Sequence, residues 1–155
     1  MIHIKFMNIY KIKDETIIEK AMKAFKEDPD CEKIVCVLSK EDQEKLEVKS
    51  SKIVFSEGGK ERIDSVYNAL KNVTSPFVMI HDGARPEITL EDLDNLKKAL
   101  EESDAACLGK YAKDTIKVLN ESIITKTLDR KEIFLAQTPQ VFKSELIKKA
   151  YQKSK

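Results

Sequence analysis

Short apolar runs that alternate with amphipathic segments constrain this chain most. "KIVCVLS" at Lys33–Ser39, "KIVFSE" at Lys52–Glu57 and "FVMIHD" at Phe77–Asp82 are too short for helices. "KIVCVLS" is apolar almost without interruption, the pattern of a strand buried on both faces. Between and around the runs, apolar residues recur at helical spacing. Ile17, Ile18, Ala21, Met22 and Phe25 share one face, as do Ile63, Val66, Tyr67, Leu70 and Val73, and then Leu93, Leu96 and Leu100. Thr16 with Glu19 fits a capping box, Asp14 offers another N-cap for the same helix, and Thr89 fits an N-cap. "KEDQEKLEV" is a weaker, charged helix, and "DAACLGK" is a fourth strand. The order β-α-β-α-β-α-β predicts an α/β fold, a mostly parallel sheet with helices on both faces.

The pattern then changes. "DTIKVLNESIITKTLDR" reads as two β-branched runs joined at Asn120-Glu121-Ser122, a hairpin rather than another crossover unit. Pairing with a second chain is a common way to cover such edges. "SELIKKAYQKSK" closes the chain as a helix with Leu146, Ile147, Ala150 and Tyr151 on one face. For "QTPQ" the bland alternative is a capped loop in which Pro139 ends one element.

Length and charge narrow the function. With 155 residues, one domain over 1–155 is expected. Although 35% of the residues are charged, the net charge is +1. That balance supplies no field to recruit nucleic acid or an anionic membrane, and neither is expected as a partner. No apolar run approaches a membrane span, and "MIHIKFMNIYKIK" lacks a signal-peptide core. Cys31, Cys36 and Cys107 lack metal-ligand spacing; their apolar neighbours predict buried, reduced thiols and a cytoplasmic location.

In open α/β sheets, ligands bind beyond the carboxyl ends of the strands, and here those ends carry the polar residues. "EGGKERIDS" follows the second run: Gly58 and Gly59 permit close backbone approach, and the next helix starts beside them. As a plain turn the same residues would be unremarkable. "HDGARP" follows the third run. Asp82 can hold a divalent cation or a sugar hydroxyl, Gly83 and Ala84 leave room, and the Arg85 fork suits a phosphate. The bland alternative is an Asp–Arg pair across a surface turn. His81 should point to the opposite face as a packed, hydrogen-bonded imidazole rather than a base or ligand. No Walker A, CxxC or Ser-His-Asp order occurs. The residues alone indicate a nucleotide- or sugar-phosphate-binding α/β protein.

"GGKERIDSV", "HDGARP", "KDTIKV", "LDR" and "QTPQVF" occur in one order, and the ordered set resembles the 2-C-methyl-D-erythritol 4-phosphate cytidylyltransferase family of non-mevalonate isoprenoid biosynthesis. The resemblance runs from about Phe6 to Tyr151. It implies a three-layer Rossmann-like nucleotidyltransferase sheet with a protruding hairpin arm over 114–128 that clasps a second subunit, hence a homodimer. It also implies in-line attack of the methylerythritol phosphate on the α-phosphate of CTP, helped by Mg²⁺. By motif, Gly59, Lys60 and Ser65 would line the cytosine pocket, with Gly83 in the same crevice. Asp82 would be the catalytic and metal-binding carboxylate facing ribose and substrate. Arg85, Thr115, Arg130 and Thr138 would bind the sugar phosphate, Thr115 and Arg130 serving the partner's site. The sister ribitol-5-phosphate cytidylyltransferases share much of this pattern, and a non-catalytic dimerising remnant is a third reading.

The family opens with a strand and a Gly-rich loop bearing an Arg, then a Pro-Lys-Gln-aromatic segment. Here no Gly precedes Gly58 and no Arg precedes Arg62. "HIKF" resembles the end of that segment, but Lys5 is one place out of register with Phe6 as the aromatic, so it receives no catalytic role. The family's C-terminal segment, with a further substrate-binding Lys, is also unmatched. The expectation is therefore an incomplete domain without its central first strand, inactive in cytidylyl transfer as written.

Overall fold

The computed structural model describes residues 2–5 as backbone, and residues 10–46 and 50–153 in full. Its main sheet has six strands: β1 (Ile2–Lys5), β4 (Ile34–Val37), β5 (Ile53–Ser56), β6 (Phe77–Asp82), β7 (Ala105–Tyr111) and β10 (Phe134–Lys143), in the order β5-β4-β1-β6-β10-β7. β2 (Lys11–Ile12) with β3 (Glu15–Thr16), and β8 (Lys117–Asn120) with β9 (Ile123–Thr127), form separate two-stranded sheets. The helices are α1 (Ile17–Glu27), α2 (Lys40–Glu44), α3 (Arg62–Leu70), α4 (Leu90–Ala99) and α5 (Ser144–Lys153).

Helix starts follow the caps read from the sequence. Thr16 and Glu19 exchange hydrogen bonds at α1, with Thr16 N–H donating to Glu19 Oε2 over 2.7 Å and Glu19 N–H donating to Thr16 Oγ1 over 3.2 Å. Thr89 and Asp92 do the same at α4.

Strand alternation divides the core between the two faces of the sheet. Ile34, Cys36, Met79 and Val141 pack with Ile18, Met22 and Phe25 of α1 and with Leu93 and Leu96 of α4. On the other face, Val78 and Ile80 meet Val66 and Leu70 of α3 and Ile147 and Tyr151 of α5, while Val35 and Val37 cover Ala69. Three layers result. Apolar residues on both faces explain the uninterrupted pattern of "IVCV". Ile63 and Leu146, placed on buried faces by their spacing, are instead exposed. Cys31 and Cys36 are buried, and burial pushes the Cys36 thiol up to about 12; Cys107 is exposed, against expectation.

Three expectations need correction. Parallel pairing holds for β1–β4, β1–β6 and β4–β5, but β10 runs against both β6 and β7, and the two small sheets are antiparallel. Across these sheets the arrangement is therefore not mostly parallel. Second, the central place is filled: Ile2–Lys5 lies between β4 and β6, giving both a hydrogen-bonding partner. Phe6 lies outside the described residues. Third, "QTPQ" is no loop. Proline in a strand argues against a ladder unless it falls at an edge or bulge, and Pro139 falls where the β10–β7 register shifts, between Ala136 and Gln140.

Candidate functional site

The carboxyl end of β6 holds the site. Asp82 closes this strand, with the backbone of Lys5 opposite it at the end of β1. The Asp82 side chain, 30% exposed, stands between two guanidinium groups: Arg62 Nη2 is 3.1 Å from Oδ1, and Arg85 Nε is 3.8 Å from Oδ2. Arg62 was not singled out in the sequence. Its signal was its place as the first residue of α3, directly after the glycine turn and next to the strand ends.

A ring of hydrogen bonds fixes the "HDGARP" turn. Arg85 N–H donates to Asp82 O over 3.0 Å. His81, fully buried, has Nε2 2.9 Å from the Arg85 carbonyl oxygen. A carbonyl only accepts, so Nε2 carries the proton and Nδ1 is the acceptor. Nδ1 lies 3.1 Å from Thr138 Oγ1, which in turn accepts the Asp82 N–H over 3.1 Å. Burial is the main cause lowering the His81 pKa, to about 4, so the ring is neutral near pH 7. The imidazole also lies against Phe25, with centroids 5.3 Å apart. His81 is thus the packed, bonded imidazole expected of it.

The glycine turn is fastened just as tightly. Ser65 is fully buried; its hydroxyl accepts Gly59 N–H over 2.7 Å and donates to Glu61 O over 3.1 Å. Gly59 has to be glycine, because an added Cβ would overlap Asp64 Cβ. Lys60 is exposed on the same turn. Ser65 therefore shapes this turn, and its proton is already committed.

Beside the "HDGARP" turn lies a cavity of about 330 Å³, lined by Arg85, Glu87, Asp92, Gly109, Gln137 and Thr138 among others. Its walls come from the segment that follows β6, from α4, and from β7 and β10. A larger apolar cavity of about 450 Å³ lies at the opposite end of β6, against Phe77, Val78 and Met79, away from these charges. Gly83 is buried at the turn. Thr115 and Arg130 are exposed at the base of the hairpin, where Arg130 Nη1 donates to Lys113 O over 2.9 Å. Asp82, Arg85 and Thr138 are thus brought together, while Arg130 is tied to the hairpin base.

Among the described residues no group of three or more His, Cys, Asp or Glu could hold a metal. A single carboxylate can still hold Mg²⁺, which keeps several waters and takes its other oxygens from phosphates where these are bound.

Residues 5–155 match the family described as IspD, 2-C-methyl-D-erythritol 4-phosphate cytidylyltransferase. The enzyme of that name from Clostridium perfringens (strain SM101) is 41% identical, over 94% of this chain and 68% of its own length. Its counterpart from Dictyoglomus thermophilum is 40% identical over 95% of this chain and 68% of its own. The crystal structure of Francisella tularensis 2-C-methyl-D-erythritol 4-phosphate cytidylyltransferase superposes with a TM-score of 0.85 at 30% identity, covering 97% of this chain and 75% of that one. The fold, the strand-end residues and these likenesses agree: the chain belongs to the 2-C-methyl-D-erythritol 4-phosphate cytidylyltransferase family.

Proposed function

We propose that the crevice around Asp82 binds CTP and 2-C-methyl-D-erythritol 4-phosphate and serves transfer of CMP between them. The observation that carries this reading is the Asp82 carboxylate at the sheet's carboxyl end, between Arg62 and Arg85 and next to the cavity. When bound, Mg²⁺ would be held by Asp82 and the phosphates and would supply charge neutralisation. The Gly59–Ser65 turn takes the cytosine through backbone groups, with Lys60 at its rim and Gly83 against the nucleotide. Arg85 offers its fork to the sugar phosphate. Thr115 and Arg130 act in the partner's site, within one unit over 1–155 whose arm, 114–128, joins two subunits. The exposed apolar side chains of that arm support a homodimer. A cytoplasmic location fits this chemistry; no described helix is long and apolar enough to cross a membrane.

The experiment incubates this chain with CTP, Mg²⁺ and either methylerythritol phosphate or ribitol 5-phosphate, following pyrophosphate and product, and titrates CTP with Mg²⁺ separately. Formation of the methylerythritol product with measurable CTP binding is expected. Preference for ribitol phosphate would select the sister activity. Neither product nor CTP binding would leave the dimerising remnant.

A further inference from the structure

We propose that His81 and Thr138 are positioning residues that pin the Asp82–Arg85 turn from both ends, Thr138 through its hydroxyl. The proposal rests on reading the Asp82 crevice as the CTP site. Its starting point is the end of a ladder. β10 pairs with β6 from Lys143↔Phe77 to Gln140↔Ile80. Continued, that register would bring Pro139 to His81 and Thr138 to Asp82. Proline has no N–H, and the strand leaves the ladder there. The Asp82 N–H would then lack its partner, and the Thr138 hydroxyl takes that place at 3.1 Å.

The hydroxyl has one proton, and it goes to His81 Nδ1 at 3.1 Å. The opposite edge of the same imidazole donates to the Arg85 carbonyl oxygen at 2.9 Å. One neutral ring therefore holds, through one relay and one direct bond, the first N–H and the last C=O of the four-residue turn. Neutral imidazole suits this task because it offers one donor and one acceptor on opposite edges. Both groups are buried: His81 is 0% and Thr138 6% exposed. A phosphate in the cavity could take a proton from Thr138 only by breaking the bond to His81. Arg85 and Asp82 stay solvent-accessible because the clamp uses only their backbone groups. Groups that orient a metal-binding side chain typically cost about 10–100-fold in metal affinity or activity when mutated.

The test uses the full 155-residue chain with Mn²⁺ as probe, titrated in the presence of CTP and followed by water-proton relaxation. Thr138→Val, which keeps the shape and loses the hydroxyl, should weaken Mn²⁺ binding about tenfold, whereas Thr138→Ser should stay within about twofold of the original. A folded Thr138→Val that binds Mn²⁺ as the original does would overturn the clamp alone. An original chain that binds no Mn²⁺ with CTP would overturn the crevice reading and the clamp with it. A measurement on the unmutated chain covers failure of the variant to fold: ¹⁵N shifts of His81 should show Nε2 protonated and Nδ1 accepting. A ring protonated on Nδ1 would refute the proposal whatever the variants do.

Discussion

Arg62 Nη2 lies 3.1 Å from Asp82 Oδ1, so the first residue of α3 and the last residue of β6 form an ion pair across the mouth of the crevice. A divalent cation arriving at this carboxylate meets Arg62 as a competitor. The Arg62 side chain is 47% exposed, and screening keeps such a pair to about 1 kcal/mol or less. Arg62→Gln should therefore tighten Mn²⁺ binding in the absence of nucleotide by up to about fivefold, since 1.4 kcal/mol is tenfold, with little change in stability. Unchanged or weaker Mn²⁺ affinity would show that the pair does not compete with a cation.

The lowered pKa of His81 makes a second prediction. Its value falls from 6.5 to about 4, mainly through burial. The unfolded chain therefore binds a proton that the folded chain refuses, and stability rises with pH where that difference exists. The contribution is whole above about pH 6.5 and is lost as pH falls toward 4. Two and a half units correspond to on the order of 3 kcal/mol. Urea unfolding at pH 7 and pH 4.5 should show a steeper loss for the original chain than for His81→Gln. Parallel losses in the two proteins would sink the assignment.

How far these features were legible in the sequence depends on the distance over which each is determined. The caps at Thr16 and Thr89 are local events within one turn, and both appear as read. Strands β4 and β6 show themselves by continuous apolar character, which burial on two faces demands. β10 was hidden because Pro139 is a strand breaker unless a bulge receives it, and a bulge depends on the partner strand. At the site, "HDGARP" announced Asp82 and Arg85 by their residue types. Arg62 lies twenty residues from Asp82 in sequence, and only the crossover brings them together. Thr138 was visible as part of a motif, but its bond to His81 spans a separation of 57 residues.

The hairpin turn gives a third prediction. Asn120 pairs with Ile123, leaving Glu121 and Ser122 as a two-residue loop with φ of 47° and 77°. Both lie in the left-handed region, where a side chain is unfavourable and Asn-Gly is the favoured pair. Changing Glu121→Asn together with Ser122→Gly should stabilise the hairpin by about 1 kcal/mol. No hairpin residue belongs to the buried clusters. The gain should consequently appear as slower amide exchange across Lys117–Thr127, with the global melting temperature nearly unchanged. Unaltered exchange in the hairpin would refute the strain.

The same hairpin provides the test of assembly. Leu119 is 60%, Ile123 71% and Ile124 58% exposed, and Leu119 pairs directly with Ile124. A two-stranded hairpin is marginal in water by itself, and an exposed apolar hairpin of this kind invites a covering surface. If two subunits clasp through it, replacing Leu119→Lys and Ile124→Lys places two like charges opposite each other in each arm and puts charge where an apolar contact is needed. Sedimentation at micromolar concentration should show the original chain as a dimer and the double variant as a monomer. The melting temperature of the monomeric unit should hardly move, because neither side chain packs on the core and surface changes of this sort usually fall within about 0.5 kcal/mol. A dimer that survives both lysines would place the interface elsewhere. An original chain that sediments as a monomer throughout would remove the arm from the partner's site and, with it, the proposed roles of Thr115 and Arg130.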